Sequence, residues 1–253
     1  MPRIFCDSPI QLINSWSLPA DTARHIQVLR LQPGDKFTLF NGRGGEFTSQ
    51  ILEMGRKEVV ASVLSFNPVE RELNAQIHLL MGMPANDKMD WIIEKATELG
   101  VRQVTPLMTQ HNVVRLSGTR ADKKTLHWSS IATAACTQCG RNTAPVIESP
   151  IELSNWLATE LGSVSNPSFK WFFSLNSLAR SIGPQIQELL KLPLNNNPHI
   201  LIAFGPEGGW SSQEETTLIN YGFTALSLGN RTLRAETAAI ATLATLNLML
   251  EQS

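Results

Sequence analysis

Apolar and polar positions along the chain follow two different patterns. Over roughly the first 72 residues the apolar stretches are short, as in Lys36–Phe40 and Val59–Leu64. They are separated by turn clusters, Pro33-Gly34-Asp35 and Asn41-Gly42-Arg43-Gly44-Gly45. Glycine in such clusters reaches the positive φ that tight hairpins require. Strands at this spacing predict a small β-barrel. Asn67-Pro68-Val69-Glu70-Arg71-Glu72 interrupts the pattern with a proline and charges and reads as a linker.

From Ala75 the periodicity changes. Ile77–Gly82 reads as a buried strand. Asp87 to Leu99 reads as an amphipathic helix with Met89, Ile92, Ile93 and Ala96 on its apolar side and Gly100 as its stop. Val101–Met108 is a strand, and Ala121–Cys139 a helix with Leu126, Ile131 and Ala134-Ala135 on its apolar side. Trp171–Leu175, Ile200–Phe204 and Thr224–Leu228 are short apolar runs, each ending in a loop containing Gly or Asn. Ala235–Leu250 is a long helix rich in Ala and Leu, and Asn195–Pro198 reads as a surface loop. Strands alternating with helices in this way predict an α/β domain with a mostly parallel sheet covered on both faces. The expected division is residues 1–72 and 73–253, with no internal repeat.

Composition limits the possible classes. The 253 residues carry 42% hydrophobic and 17% charged side chains, so intrinsic disorder is excluded as the overall description. There is no apolar run of about 18 residues, so no transmembrane helix is expected. The start, Met1–Ile10, lacks the pattern of an export signal, and three cysteines are too few for a disulfide framework; both point to a reducing cytoplasm. Cys136-Thr137-Gln138-Cys139 lacks a second ligand pair at suitable spacing, so no metal is expected and the two cysteines read as packing residues.

Ligands of open parallel sheets bind where strands deliver their carboxyl ends into loops. Three loops qualify: Ser174-Leu175-Asn176, Phe204-Gly205-Pro206-Glu207-Gly208-Gly209-Trp210-Ser211, and the stretch from Leu226 through Leu228, Gly229, Arg231, Leu233 and Arg234 to Thr237. The second has glycines without either phosphate-loop spacing, and an acid, Glu207, stands where an anion would rest. That suits a cation or a neutral ligand rich in amide-like groups. Alternatively, its glycines only make a turn into a helix capped by Ser211 or Ser212 with a downstream Glu. In the third loop Arg231 and Arg234 precede Glu236 at the entry to an apolar helix. Arginine is not favoured at a helix N-terminus, where the dipole is already positive.

Phe204–Gly209 followed by Leu228-Gly229-Asn230-Arg231-Thr232-Leu233-Arg234-Ala235-Glu236-Thr237-Ala238 resembles the paired signature of the SPOUT RNA methyltransferases. More closely, the whole chain resembles the bacterial 16S rRNA uracil-N3-methyltransferase family. The stretches that carry the likeness are His25–Arg30 with Gly34-Asp35, Phe40–Phe47, Lys88–Val101 and Ala134–Asn142, in order over nearly the full length. The resemblance implies an N-terminal PUA-like barrel for RNA and a C-terminal α/β domain with a deep trefoil knot. It also implies a homodimer that binds S-adenosylmethionine and methylates N3 of one uridine in 16S rRNA of the small ribosomal subunit. A threaded chain is rare enough that nothing but the resemblance suggests it.

The matched motifs make Ser174, Leu175, Phe204, Gly205, Pro206, Glu207, Gly208, Gly209, Leu226, Leu228, Gly229 and Leu233 the expected cofactor contacts. Backbone groups would hold the adenine edge, Leu228 and Leu233 would cover its face, and Glu207 would reach ribose hydroxyls or the amino group. Uracil N3 carries a proton, so some group must take it or stabilise the charge left on the uracil oxygens. Arg234, then Arg231, are the candidates for charge stabilisation, and Glu207 or Glu236 for the base.

The formal net charge is −1, with 21 basic against 22 acidic side chains, which by itself does not suggest an RNA partner. The sum conceals an asymmetry. Between Arg102 and Arg141 stand Arg115, Arg120, Lys123 and Lys124 against a single acid, Asp122, whereas acids prevail beyond Pro150. Arg3, Arg24, Arg30, Arg43, Arg115, Lys123 and Arg141 are the expected RNA contacts, gripping phosphates with an affinity that falls as salt rises. His111-Asn112 stands where the family often has an arginine. Two rival readings are a SPOUT enzyme acting on another RNA, tRNA or 23S rRNA, and a non-catalytic RNA-binding assembly factor.

Overall fold

A computed structural model describes residues 1–85, 88–112, 114–161, 167–193 and 197–251, with only the backbone at Glu160. Asp87 and Asn195-Asn196, placed by sequence in a helix and a loop, lie outside the described residues. The chain divides into two compact units, Met1–Glu72 with Thr133–Ala144, and Leu73–Ala132 with Pro145–Ser253.

The first unit holds β1 (Arg3–Phe5), β2 (Ile13–Ser17), α1 (Ala20–Val28), β3 (Lys36–Phe40), β4 (Glu46–Met54) and β5 (Val59–Asn67). Its sheet runs β1-β3-β4-β5-β2, with β1 parallel to β3 and the other pairings antiparallel. Both strands read from sequence are present, and β5 continues through Asn67 into the segment expected to be linker. The helix α1 is not foreshadowed by the turn-rich sequence around it. It buries Thr22, Ala23 and Ile26, an i, i+1, i+4 stripe, in a core with Ile4, Phe37, Leu39, Ile51 and Val59. Gly45 shows what the turn cluster requires. Its φ is 66°, and a Cβ there would run into the Phe66 ring.

An ion-pair network closes this unit. Arg141 is 3% exposed and clasps Glu72 through Nε at 2.9 Å and Nη2 at 2.5 Å. Arg3 pairs with Glu46 and donates to Asn142 Oδ1 at 2.8 Å, while Asn142 donates to the Val69 carbonyl at 2.8 Å. Arg71 adds bonds to Glu46 at 3.2 Å and to the Gly140 carbonyl at 2.9 Å. Burial pushes the Glu46 carboxyl up, but the hydrogen bonds of Arg71 and Arg3 outweigh it and hold the group below its ordinary value. Cys136 is buried beside the Thr143 carbonyl, and burial drives its thiol up to about 12.

The second unit holds β6 (Gln76–Gly82), α2 (Lys88–Glu98), β7 (Gln103–Met108), α3 (Gly118–Cys139, whose last turns belong to the first unit), β8 (Val146–Ile147) and β9 (Ile151–Glu152). There follow α4 (Leu153–Asn155), continued by a π-type turn, then β10 (Phe169–Phe173), β11 (Arg180–Ser181), α5 (Gly183–Leu190), β12 (His199–Phe204), α6 (Ser212–Asn220), β13 (Thr224–Ser227) and α7 (Ala235–Glu251). The sheet order is β11-β13-β10-β12-β6-β7-β8, with β9 also beside β7, and every pairing is parallel.

Alternation along β12 explains its unbroken apolar run. Ile200, Ile202 and Phe204 join one buried cluster, with α2, α3 and α7, while Leu201 and Ala203 join another, with Trp156, Leu218 and Phe223. A strand covered on both faces has no polar side to show. In α2 the expected Met89, Ile92, Ile93 and Ala96 are all buried, and Gly100 follows at φ 85°. The expected inner face of α3 needs correction. Leu126 is 69% exposed, and the buried stripe is Ala121, Trp128, Ala132, Ala135 and Cys136. Those positions recur at helical spacing from Ala121, and Leu126 is rotated well away from them.

The Arg141–Glu72 pair gives a measurable consequence. Arg141→Ala removes the guanidinium that clasps the largely buried Glu72 carboxylate and should destabilise the protein by about 3 kcal/mol, against less than ~0.5 for the exposed Arg30→Ala. Denaturant unfolding of both variants checks this.

Candidate functional site

Three parallel strands end side by side in the second unit: β10 at Phe173, β12 at Phe204 and β13 at Ser227. The loops they release surround a cavity of about 600 Å³. Ser174, Leu175, Phe204, Gly205, Pro206, Glu207, Gly208, Gly209, Leu226, Leu228, Gly229 and Leu233 all line it, as do Arg231 and Arg234. Residues far apart in sequence therefore converge at the carboxyl edge of one sheet, in the size range of small-ligand pockets. Asn176, Trp210, Ser227 and Thr232, which belong to the same three loops, also line it, whereas sequence reasoning missed Ser212 and Glu215 on α6.

Close backbone packing shapes the loop after β12. A Cβ on Gly82, at the end of β6, would lie 2.6 Å from the Pro206 nitrogen, and one on Gly205 would lie 3.0 Å from the Gly209 carbonyl carbon. The loop turns back at Gly209, φ 66°, and enters α6 through a capping box in which Ser211 and Glu214 each accept from the other's backbone N–H. The turn into α6 and the pocket wall are thus the same structure. Phe173 and Phe204 stack with centroids 4.5 Å apart, and the Trp210 indole donates to the Phe173 carbonyl at 2.9 Å.

The charges near the cavity are partnered in distinct ways. Both Glu207 oxygens lie 3.1 Å from the Ala85 N–H, and Lys88 Nζ lies 2.9 Å from one of them. Burial raises the Glu207 carboxyl, but the bonds from Lys88 and backbone N–H groups prevail and hold it below its ordinary value. Lys88 also reaches Glu236, at 3.3 Å. Glu215 accepts from the Ser174 hydroxyl and, at 3.1 Å, from the Asn176 amide. Arg231 and Arg234 are exposed on the lining, and neither forms an ion pair among the described residues.

His111 lies against the glycines. Its Nδ1 is 3.0 Å from the Gly208 carbonyl and 3.2 Å from the Gly209 carbonyl. Carbonyls only accept, so Nδ1 carries the proton. Asn112 ties the same segment down by donating to the Met83 carbonyl at 2.6 Å. In this chain His111-Asn112 thus holds the glycine turn from outside.

The expected RNA contacts fall into two groups. Arg24, Arg30, Arg43 and Lys123 are exposed, as is Arg115, which pairs with Glu152 at 2.9 Å. Arg3 and Arg141, by contrast, belong to the ion-pair network of the first unit, so their charges are already matched there. Sequence alone shows a charge but not its partner.

Known proteins share both the sequence and this architecture. Residues 71–247 match the RNA methyltransferase domain family and residues 18–64 the RNA methyltransferase PUA domain family. The chain is 32% identical to ribosomal RNA small subunit methyltransferase E of Buchnera aphidicola from Schizaphis graminum, covering 98% of this chain and 96% of that protein. It is 28% identical to the Bacillus subtilis protein of the same name, covering 99% and 98%. The crystal structure of ribosomal RNA small subunit methyltransferase E from Neisseria gonorrhoeae bound to S-adenosyl methionine superposes with a TM-score of 0.84 at 31% identity, over 98% of each chain. With a PUA-like unit, an α/β parallel-sheet unit, and matches that run nearly end to end, the chain belongs to the RNA methyltransferase family.

Proposed function

We propose that this chain is an S-adenosylmethionine-dependent methyltransferase that methylates N3 of one uridine in 16S rRNA, acting on the small ribosomal subunit as a cytoplasmic homodimer. The observation that carries the reading is the cavity at the ends of β10, β12 and β13, walled by the two loops that bear the family signature. Near-full-length likeness to proteins named for small-subunit rRNA methylation supports the substrate. The deep knot belongs to the same proposal, as does the division of labour between residues 1–72, for RNA, and 73–253, for methyl transfer.

The residues present suit the cofactor. The cavity has ample volume, its Leu and Phe side chains offer an apolar cover, and Gly205, Gly208 and Gly209 let backbone amide groups face the ligand. Backbone groups of Phe204–Gly209 and Leu226–Leu233 would hold the adenine edge, and Leu228 and Leu233 would cover its face. Glu207 and Glu215 are placed for hydroxyl or ammonium groups. When bound, the sulfonium supplies an electrophilic methyl group that passes in line to uracil N3, the C–S electron pair remaining on sulfur.

The residues of this chain then have two tasks. They must align the base, and they must stabilise the charge left on the uracil oxygens as the N3 proton passes to solvent water. Arg234, exposed on the lining beside the start of α7, is assigned the second task, with Arg231 beside it. Glu207 already accepts from Lys88 and Ala85 and is held below its ordinary value, so it is better placed to orient a ligand than to take a proton. The exposed Arg24, Arg30, Arg43, Arg115 and Lys123 grip phosphates.

In cells lacking the protein, 16S rRNA should lose N3-methyluridine at one site, read by mass spectrometry of its nuclease fragments, and the plasmid-borne gene should restore it. Unchanged modification would reject the substrate. Arg234→Ala should slow methylation by about 100-fold while leaving S-adenosylmethionine affinity within about twofold. Equal losses in rate and affinity would remove Arg234 from the chemistry.

A further inference from the structure

Lys88 is the first residue of α2, and it does not line the cavity. A helix N-terminus favours acids, so a lysine there does nothing for the helix itself. Its partners account for it. The ammonium lies 2.9 Å from Glu207, on the loop after β12, and 3.3 Å from Glu236, in the first turn of α7. Both segments contribute residues to the pocket wall. Among the described residues no hydrogen bond joins residues 204–212 to residues 226–238 directly, so the ammonium is the polar group that reaches both.

The three groups are also matched in charge. Two carboxylates brought together would repel, and an ammonium between them turns that repulsion into attraction. The hydrogen bond to Glu207 holds the Lys88 ammonium above its ordinary value, and Glu207 lies below its own, so both stay charged at neutral pH. Glu207 is further fixed by the Ala85 N–H, in the segment that leads from β6 into α2. Glu236 keeps only 14% of its side chain exposed, and its second oxygen is buried with no partner among the described residues, so Lys88 is the described cation that offsets its burial.

We propose that Lys88 is a positioning residue for the donor pocket: its ammonium fastens the loop after β12 to the start of α7 through Glu207 and Glu236 and sets the pocket's shape before a ligand arrives. The inference rests on the reading of that cavity as the S-adenosylmethionine site. A pocket shaped in advance needs less ordering on binding, so the benefit falls on donor binding more than on the chemical step.

The test uses full-length wild type with Lys88→Met and Lys88→Arg, in two measurements. The first is amide hydrogen exchange of the ligand-free protein. Lys88→Met should speed exchange about tenfold in residues 205–209 and 233–238 together, and the core strands β6, β10 and β12 should be unchanged. The second is methylation kinetics against S-adenosylmethionine, where KM should rise about tenfold and kcat should change less than about threefold. Lys88→Arg, which keeps the charge, should restore most of both. Glu236→Gln opens one arm of the bridge and should move exchange in residues 233–238 alone, which preserves the test if Lys88→Met folds poorly.

Unchanged exchange in both segments would overturn the proposal, as would an Arg variant that behaves like Met, or faster exchange spread through the whole sheet. If wild type takes up no S-adenosylmethionine while the exchange changes appear, the donor reading fails and the bridge stands. If wild type binds and the exchange is unmoved, the bridge fails and the donor reading stands.

Discussion

The end of β6 lies so close to the loop after β12 that a Cβ on Gly82 would come within 2.6 Å of the Pro206 nitrogen. This approach of one backbone to another governs the shape of the site. With the strands in parallel register, Met81 opposite Phe204, the chain leaving β12 must turn immediately beside the chain leaving β6. A second glycine, Gly205, allows that turn because its Cβ would press on the Gly209 backbone. The space left between this tight turn and the loop after β13 is the cavity. Steric exclusion in a parallel sheet thus sets where the ligand can go, and the glycine-rich sequence is its consequence.

Around that constraint the chain adds polar fastenings from outside the cavity. Lys88 and the Ala85 N–H hold Glu207, His111 holds the Gly208 and Gly209 carbonyls, and the Gln110 N–H donates to Glu214 at 2.8 Å. All four come from the segments after β6, which pairs with β12, and after β7, the next strand on that side of the sheet. A loop that must present amide groups to a ligand without collapsing needs such external support, because its own glycines offer no side chains to pack. The exposed arginines on the lining, Arg231 and Arg234, are left outside these fastenings, as the charge-stabilising role proposed for them requires.

Much of this architecture is legible in sequence wherever burial imposes a period. The unbroken run Ile200–Phe204 predicts a strand covered on both faces, and Met89, Ile92, Ile93 and Ala96 predict the buried stripe of α2. The convergence of the loops on one cavity is expected from the rule that parallel strands deliver their carboxyl ends to ligands, together with a family signature. What sequence does not reveal depends on partners. Leu126 reads as core by hydropathy but lies off the stripe that Trp128 and Ala132 define. The α1 helix is short, and its three buried positions carry little signal among turn residues. Arg3 and Arg141 look like available cations until Glu46 and Glu72 are placed beside them. Lys88 looks like an ordinary helix residue, because nothing local links it to acids more than a hundred positions away.

If the glycine-shaped cavity at the ends of β10, β12 and β13 is where the methyl donor binds, filling it must abolish binding. Calorimetric titration of S-adenosylmethionine into wild type and Gly205→Val measures this, with circular dichroism melting to confirm that the variant folds. The expected result is saturable binding of one donor per chain to wild type and loss of that binding in a folded Gly205→Val. Equal binding to both proteins, or none to wild type, would contradict the assignment of the cavity.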